Sequence, residues 1–318
     1  MKLLTPVKVP NFPFRIRYDD KIISIGSCFS VHITQKLAQL AYNTLQNPSG
    51  ITYNAASMVR TLKMVNNPDS LHQSPIKYQQ GLYSHPDFHG SFNHPDKNKL
   101  EMNLRNNLSH AQKFLNNASK VMITLGTSAV FRCLETGLIV NNCHKRPLDH
   151  FQKEVLTVSD TTAHLIQIIE LIEEMSEIQQ VEFLFTLSPI RHTRNGLIAD
   201  RKSKAIALLA IHELVTQMEN CHYFPAYEIQ TDELRDYRFY GSDLLHPTPL
   251  AIDYIYQRFS ESLLDPDDAT LRSRVDSIQK RRKHRPLFPD TAEHQQFLSR
   301  LRQDEAELKE KHPYLDIE

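Results

Sequence analysis

Lys21-Ile22-Ile23-Ser24-Ile25-Gly26-Ser27-Cys28-Phe29-Ser30 is an apolar run that stops at a glycine and passes through a serine into a helical pattern. Residues 22–26 read as a buried strand of a parallel sheet, because such strands are apolar on both faces. Gly26 permits a sharp exit. The following helix aims free backbone N–H groups at the serine oxygen. This is how an α/β protein presents a nucleophile, and Ser27 is the candidate.

Working outward, Val31, Ile33, Leu37, Leu40 and Ala41 form a helical stripe, and residues 43–46 read as a second strand. That strand ends in Asn47-Pro48-Ser49-Gly50, a turn by composition. Residues 120–125 make a third strand closed by Gly126-Thr127-Ser128, residues 181–187 a fourth and residues 222–227 a fifth. Helices are expected at 55–65, 101–117, behind a Ser159-Asp160-Thr161 cap, at 203–218, and at 250–264 with Thr248 as N-cap and Pro249 at N1. Five alternations of strand and helix predict an α/β fold: a parallel sheet covered on both faces, joined by right-handed crossovers. Ligands bind such sheets beyond the carboxyl ends of the strands. Ser27, Gly50, Gly126 and the Asp243–His246 stretch would all lie on that rim.

The 318 residues, 40% of them hydrophobic, suffice for one large α/β domain over residues 1–264. Residues 66–100, polar and rich in His and Pro, read as an insertion or cap, and residues 132–156 as a loop or hairpin excursion. Residues 265–318 read as a charged helical extension packed on the same domain through Phe297, Leu301 and Leu308. Its basic knot, 280–285, and acidic stretch, 304–310, fit a solvated extension better than a nucleic-acid patch. Lys and Arg together number 37 and Asp and Glu 37, so global charge predicts neither nucleic acid nor an anionic membrane as partner. The opening residues break off too soon for a secretory apolar core, and no apolar run reaches the roughly 20 residues that span a bilayer. The four cysteines form no CxxC pair, which favours reduced thiols. A cytoplasmic location is the expectation, and no cofactor is called for.

A serine needs a base, and histidine is the side chain suited to that role near neutrality. A carboxylate fixes the imidazole tautomer and stabilises the imidazolium that develops. Asp243 and His246, three apart on one tight turn, can make that bond locally, so Ser27, His246 and Asp243 are expected to meet as a hydrolytic triad. The backbone N–H groups of Ser27 and Gly50 are the natural oxyanion donors, each commonly worth about 3 kcal/mol.

Gly26-Ser27-Cys28-Phe29-Ser30 resembles the signature of the GSCFA family, with Ser30 where the name has Ala. Asn47-Pro48-Ser49-Gly50, Leu125-Gly126-Thr127, Asn142-Cys143-His144-Lys145, Ser188-Pro189-Ile190-Arg191-His192 and Asp243-Leu244-Leu245-His246-Pro247-Thr248 are similar to the same family, in consistent order over residues 20–300. The resemblance, to a family placed near the SGNH/GDSL hydrolases, implies a flavodoxin-like three-layer sandwich and ester hydrolysis. It carries over Ser27 as nucleophile, Gly50 as oxyanion donor, and Asp243 with His246 as the Asp-x-x-His pair. The SGNH third block, Gly-x-Asn-Asp, departs here: Ser128 stands at the Asn position and Ala129 at the Asp position. The third donor would then be the hydroxyl of Thr127 or Ser128, or Asn142 or His144 from the excursion.

Several residues have plainer readings. Cys28 is expected to be a small buried residue at the helix start and not a reactive thiol. His144 and Lys145 serve equally as substrate-binding groups or as ties to the strand ends. His85, Asp87, His89 and His94 could hold zinc, but a wet loop is favoured and no metal is expected. Phe88 and Phe92 line an acyl pocket or anchor their loop, and Arg191 and His192 contact substrate or lie on an exposed loop. The functional expectation is a serine esterase acting through an acyl-enzyme on small esters, with O-acetyl groups of carbohydrate as the class. The alternatives are an O-acyltransferase with the same triad, a non-catalytic binding protein on the same fold and, more weakly, a metal-dependent hydrolase. The oligomeric state is left open.

Overall fold

A computed structural model describes residues 5–315. Residues 1–4 and the last three of the tail, 316–318, lie outside the described residues. The chain runs β1 (Lys21–Gly26), α1 (Cys28–Gln39), β2 (Asn43–Gln46), α2 (Ala55–Asn66), a hairpin of β3 (Lys77–Gln79) and β4 (Leu82–Ser84), α3 (Lys97–Leu115) and β5 (Lys120–Leu125). It continues through β6 (Ala129–Cys133), β7 (Ile139–Val140), β8 (Phe151–Val155), α4 (Val158–Met175), β9 (Glu182–Leu187), α5 (Leu197–Gln217) and β10 (Cys221–Tyr223). A helical turn α6 (Ala226–Glu228), then α7 (Pro249–Leu263), α8 (Ala269–Arg282) and α9 (Ala292–Lys311) complete it.

The central sheet has the order β2-β1-β5-β9-β10, and every adjacent pair is parallel. That is the flavodoxin-like order, whose switch point lies between β1 and β5. Side chains alternate strictly across it. Ile23, Ile25, Val121, Ile123, Phe183 and Phe185 pack into one core layer with α2, α3, α4 and α5. Ile22, Met122 and Leu184 face the other layer, formed by α1, α7, α8 and α9. The sequence pattern of continuous apolar runs follows from this double coverage.

Local chemistry moves several predicted boundaries. The cap of α4 is Thr157, whose hydroxyl accepts from the Asp160 N–H while the Asp160 carboxylate accepts from the Thr157 N–H. This reciprocal box replaces the expected Ser159 cap. The ladder of β10 ends at Tyr223, because Pro225 has no N–H and Ala226 opens a helical turn. Helix α5 starts six residues earlier than expected, directly after Gly196 in the left-handed region (φ +86°). Thr248 caps α7 with Pro249 at its first position, as the sequence predicts.

The excursion is a small antiparallel sheet, β7-β6-β8. The 66–100 insertion is held from below and is not a wet loop. Asp87 is fully buried, and the Arg60 guanidinium donates Nε to Oδ1 and Nη2 to Oδ2, each at 2.7 Å. Ser74 Oγ adds a third donor to Asp87 at 2.9 Å. His85 is buried beside it, and Phe88 packs in the core with its edge against Phe92. Phe88 therefore anchors the insertion.

In the tail, α8 and α9 set basic against acidic: Arg281 with Asp304, Arg282 with Glu305 and Arg274 with Glu307. Leu301 and Leu308 bury their side chains in the same core layer as α1 and α7. Among the described residues no helix is long and apolar enough to cross a membrane.

Candidate active site

The carboxyl ends of β1 and β5 are locked together. A Cβ on Gly26 would stand 2.5 Å from the Thr124 carbonyl oxygen, so only glycine fits. Its N–H donates to Asn47 Oδ1 at 2.7 Å. The next residue, Ser27, donates its N–H to Thr124 O at 3.2 Å. Ser27 is the N-cap of α1, its Oγ accepts the Phe29 N–H at 3.3 Å, and it is fully buried. Cys28, the first residue of α1, is half-buried, and its Sγ lies 3.7 Å from the Tyr53 hydroxyl.

Tyr53 ties this corner to the next strand end. Its carbonyl accepts the N–H of Gly126 at 2.8 Å and of Thr127 at 3.0 Å. Its ring meets His192 edge-on with centroids 5.2 Å apart. Burial and the adjacent Cys28 sulfur push the Tyr53 phenol up, so it stays protonated. His192 Nε2 would lie 3.1 Å from a Cβ on Gly126, and that nitrogen is buried without a partner among the described residues. Burial, with help from Lys204, lowers His192 to about 4, so its ring is neutral.

Beneath this rim, Lys204 of α5 is buried and donates to Ser188 O at 2.8 Å and Gly126 O at 3.2 Å. Burial lowers it to about 8. It thereby fastens the carboxyl ends of β5 and β9 from one side chain. Asp200 beside it accepts the His192 N–H at 3.0 Å.

The Asp243–His246 turn closes the rim from the far end of the chain. Asp243 Oδ1 accepts the N–H of Leu245 at 2.9 Å and of His246 at 3.0 Å. Its Oδ2 meets His246 Nδ1 at 2.6 Å. The two backbone N–H groups and then the imidazole hold the carboxyl at about 2. An ionised Asp243 makes Nδ1 the protonated nitrogen and leaves Nε2 free to accept a proton. The turn is stitched to the β9 exit loop, since Arg191 N donates to Leu245 O at 3.2 Å. The His246 charge is felt at His32 on α1 and at His192.

The structure thus links the β1–α1 corner through Tyr53 to His192, and the β9 exit loop to the Asp243–His246 turn. Among the described residues no hydrogen bond joins Ser27 to His246. Of the other predicted donors, Gly50, Thr127, Ser128 and His144 already have partners, while Asn142 engages only its side-chain oxygen. The Gly50 N–H goes to Asn47 O at 2.7 Å, with φ at +80° and His89 Cβ against it. Thr127 Oγ1 and Ser128 Oγ both meet Ser203 Oγ, at 2.6 and 3.0 Å. Asn142 Oδ1 accepts the His144 N–H, and His144 Nε2 donates to His85 O at 2.8 Å. The Asn142–His144 turn therefore ties the small sheet to the insertion. Tyr53, Lys204 and His32 went unnoticed in the sequence. The one available signal was that Tyr53 directly precedes Asn54, the N-cap of α2. Among the described residues no group of three His, Cys, Asp or Glu could hold a metal ion.

Residues 21–259 match the GSCFA family, and residues 275–318 match the GSCFA domain protein, C-terminal domain. The chain belongs to the GSCFA family. No curated protein matches it.

Proposed function

We propose that this GSCFA-family chain is an ester hydrolase of the SGNH type, with His246 as general base and Asp243 as the carboxylate that orients it. One observation carries the reading: the Asp243–His246 bond of 2.6 Å, with the second carboxylate oxygen gripped by two backbone N–H groups. The grip fixes the carboxylate so that Oδ2 can hold His246 in the tautomer that presents Nε2. The pair stands at the carboxyl rim where a parallel sheet of this order binds its ligand.

A side chain of the Ser27–Cys28 corner attacks the acyl carbon, and His246 takes its proton. The alkoxide leaves with that proton, and water resolves the acyl-enzyme by the same path in reverse. Ser27 is the nucleophile the family signature nominates; to act, its hydroxyl must leave the Phe29 N–H. O-acetyl groups on carbohydrate are the substrate class. An open groove of about 280 Å³ next to the His246 turn supports this, for it is lined by Arg191, Arg201, Asp232, Asp236, Tyr237 and Tyr240. Arg191 stacks over the rings of Tyr240 and Tyr237, and the guanidinium, carboxylate and hydroxyl groups of this groove can hydrogen-bond a polyhydroxylated ligand. A sugar hydroxyl entering in place of water would make the same site an O-acyltransferase.

A second reading, a non-catalytic binding protein, is favoured by the committed state of the Gly50 N–H and the Ser27 hydroxyl. The rate of p-nitrophenyl acetate hydrolysis separates the two. His246→Ala is expected to lose at least about 100-fold relative to wild type, the scale of a general base. Equal rates in the two proteins reject the hydrolase and leave the binding protein.

A further inference from the structure

We propose that Cys28, and not Ser27, is the nucleophile of this site, and that its own backbone N–H is an oxyanion donor. The inference rests on the hydrolase reading above.

Helix geometry makes the choice between the two neighbours. At the N-cap, Ser27 turns its hydroxyl back onto the Phe29 N–H and gives its own N–H to Thr124 O. Its carbonyl accepts from Ser30 N at 2.9 Å and from Ser30 Oγ at 2.7 Å. Every polar group of Ser27 has an internal partner, and no surface of the residue reaches solvent. Cys28, one position on, differs in each respect. It is partly exposed. Its N–H has no partner among the described residues, whereas those of Phe29 and Ser30 are satisfied by Ser27. A free N–H at the head of a helix favours negative charge that develops beside it.

The direction in which Cys28 faces follows from spacing. Cys28, His32 and Lys36 recur every four residues and share one face of α1. Lys36 pairs with Asp253 of α7, and His32 feels the charge of His246 in the turn that precedes α7. That face of α1 therefore confronts α7 and the His246 turn. A second route agrees: the Cys28 sulfur touches Tyr53, the Tyr53 ring packs on His192, and His192 also feels His246.

The chemistry balances without a co-reactant. The Cys28 proton passes to His246 Nε2 as the S–C bond forms. The carbonyl electrons move onto the oxygen facing the Cys28 N–H. Collapse breaks the C–O bond, and the alcohol leaves with the proton from His246. Water then attacks the thioester, gives a proton to His246, and the thiol departs with it.

Wild type and variants are mixed with p-nitrophenyl acetate, quenched in acid within the turnover time, and mapped by peptide mass spectrometry. The acetyl group is expected on Cys28 and to be removed by neutral hydroxylamine, as a thioester is. Its formation should slow at least tenfold in His246→Ala, while acetylation of the half-buried Cys143 is unchanged. Cys28→Ala should lose at least 100-fold in turnover. An acetyl on Ser27, with Cys28→Ala turning over at the wild-type rate, overturns the assignment and leaves the hydrolase standing. Turnover in wild type no faster than in His246→Ala overturns both. The site of acylation is read on wild type, so a variant that fails to fold does not blunt the test.

Discussion

Replacing Asp243 by Asn tests whether the carboxylate sets the tautomer of His246. In the structure Oδ1 accepts two backbone N–H groups and Oδ2 faces Nδ1 at 2.6 Å. An asparagine oxygen can keep both backbone bonds, so the turn should retain its shape. The amide NH₂ then points at Nδ1, which must accept. The ring proton moves to Nε2, and the lone pair that would take the nucleophile's proton is gone. Turnover of p-nitrophenyl acetate should fall by about 10⁴-fold, the scale of a wrong-tautomer triad. Both side chains are about half exposed, at 49% for His246 and 46% for Asp243, so melting should move by no more than about 2 °C. Asp243 stays ionised down to about pH 2, so an acid limb above pH 4 in wild type belongs to another group. The assay is kcat at saturating ester, with circular dichroism as the fold check. A variant within tenfold of wild type, equally folded, would refute the tautomer argument, because the carboxylate would then be only a turn cap.

Two further outcomes test the scaffold of the site. Arg60→Met leaves Asp87 fully buried without its counter-charge, and should cost about 3–5 kcal/mol by urea denaturation, while Arg60→Met combined with Asp87→Leu should recover most of it; a loss under about 1 kcal/mol for the single variant would sink the clamp. His192, lowered to about 4 by burial and Lys204, binds its proton in the unfolded chain near pH 6.5 but not in the folded one. The unfolded state thus holds more protons between those values, and stability falls as pH drops from about 6.5 to about 4, by an amount on the order of 3 kcal/mol from this group. His32, His85 and His144 shift in the same direction, so the readout is the difference between wild type and His192→Gln over that window. Parallel curves would show that His192 is not buried neutral.

The sheet was legible because its chemistry is local. Three strands, β1, β5 and β9, are continuous apolar runs that end at Gly26, Gly126 and Pro189, and each reads correctly from composition. The turn that carries Asp243 and His246 was legible for the same reason, since its partners are three residues apart. The insertion was not. His85 and Asp87 look like solvated loop residues because the counter-ion of Asp87, Arg60, lies 27 positions away on α2. Lys204 was hidden in the same way: a lysine in a helix of weak amphipathicity gives no sign that it fastens two strand ends.

The nucleophile exposes a finer limit. Ser27 and Cys28 are adjacent, both nucleophilic, and both follow the same glycine. Composition and spacing put two side chains of nucleophilic type at this corner but do not say which of the two caps the helix and which begins it. That is decided by where β1 releases the chain. The Ser27 N–H is still held by Thr124 O, as a strand residue's would be, and the helical dihedrals start only at Cys28. One residue of offset turns Ser27 inward and leaves Cys28 on the face that meets α7. A register shift of that size is invisible to a hydrophobic pattern, because both residues tolerate burial. It is fixed by the three bonds that pin Gly26, Ser27 and Asn47, and those become visible only when the strands are assembled.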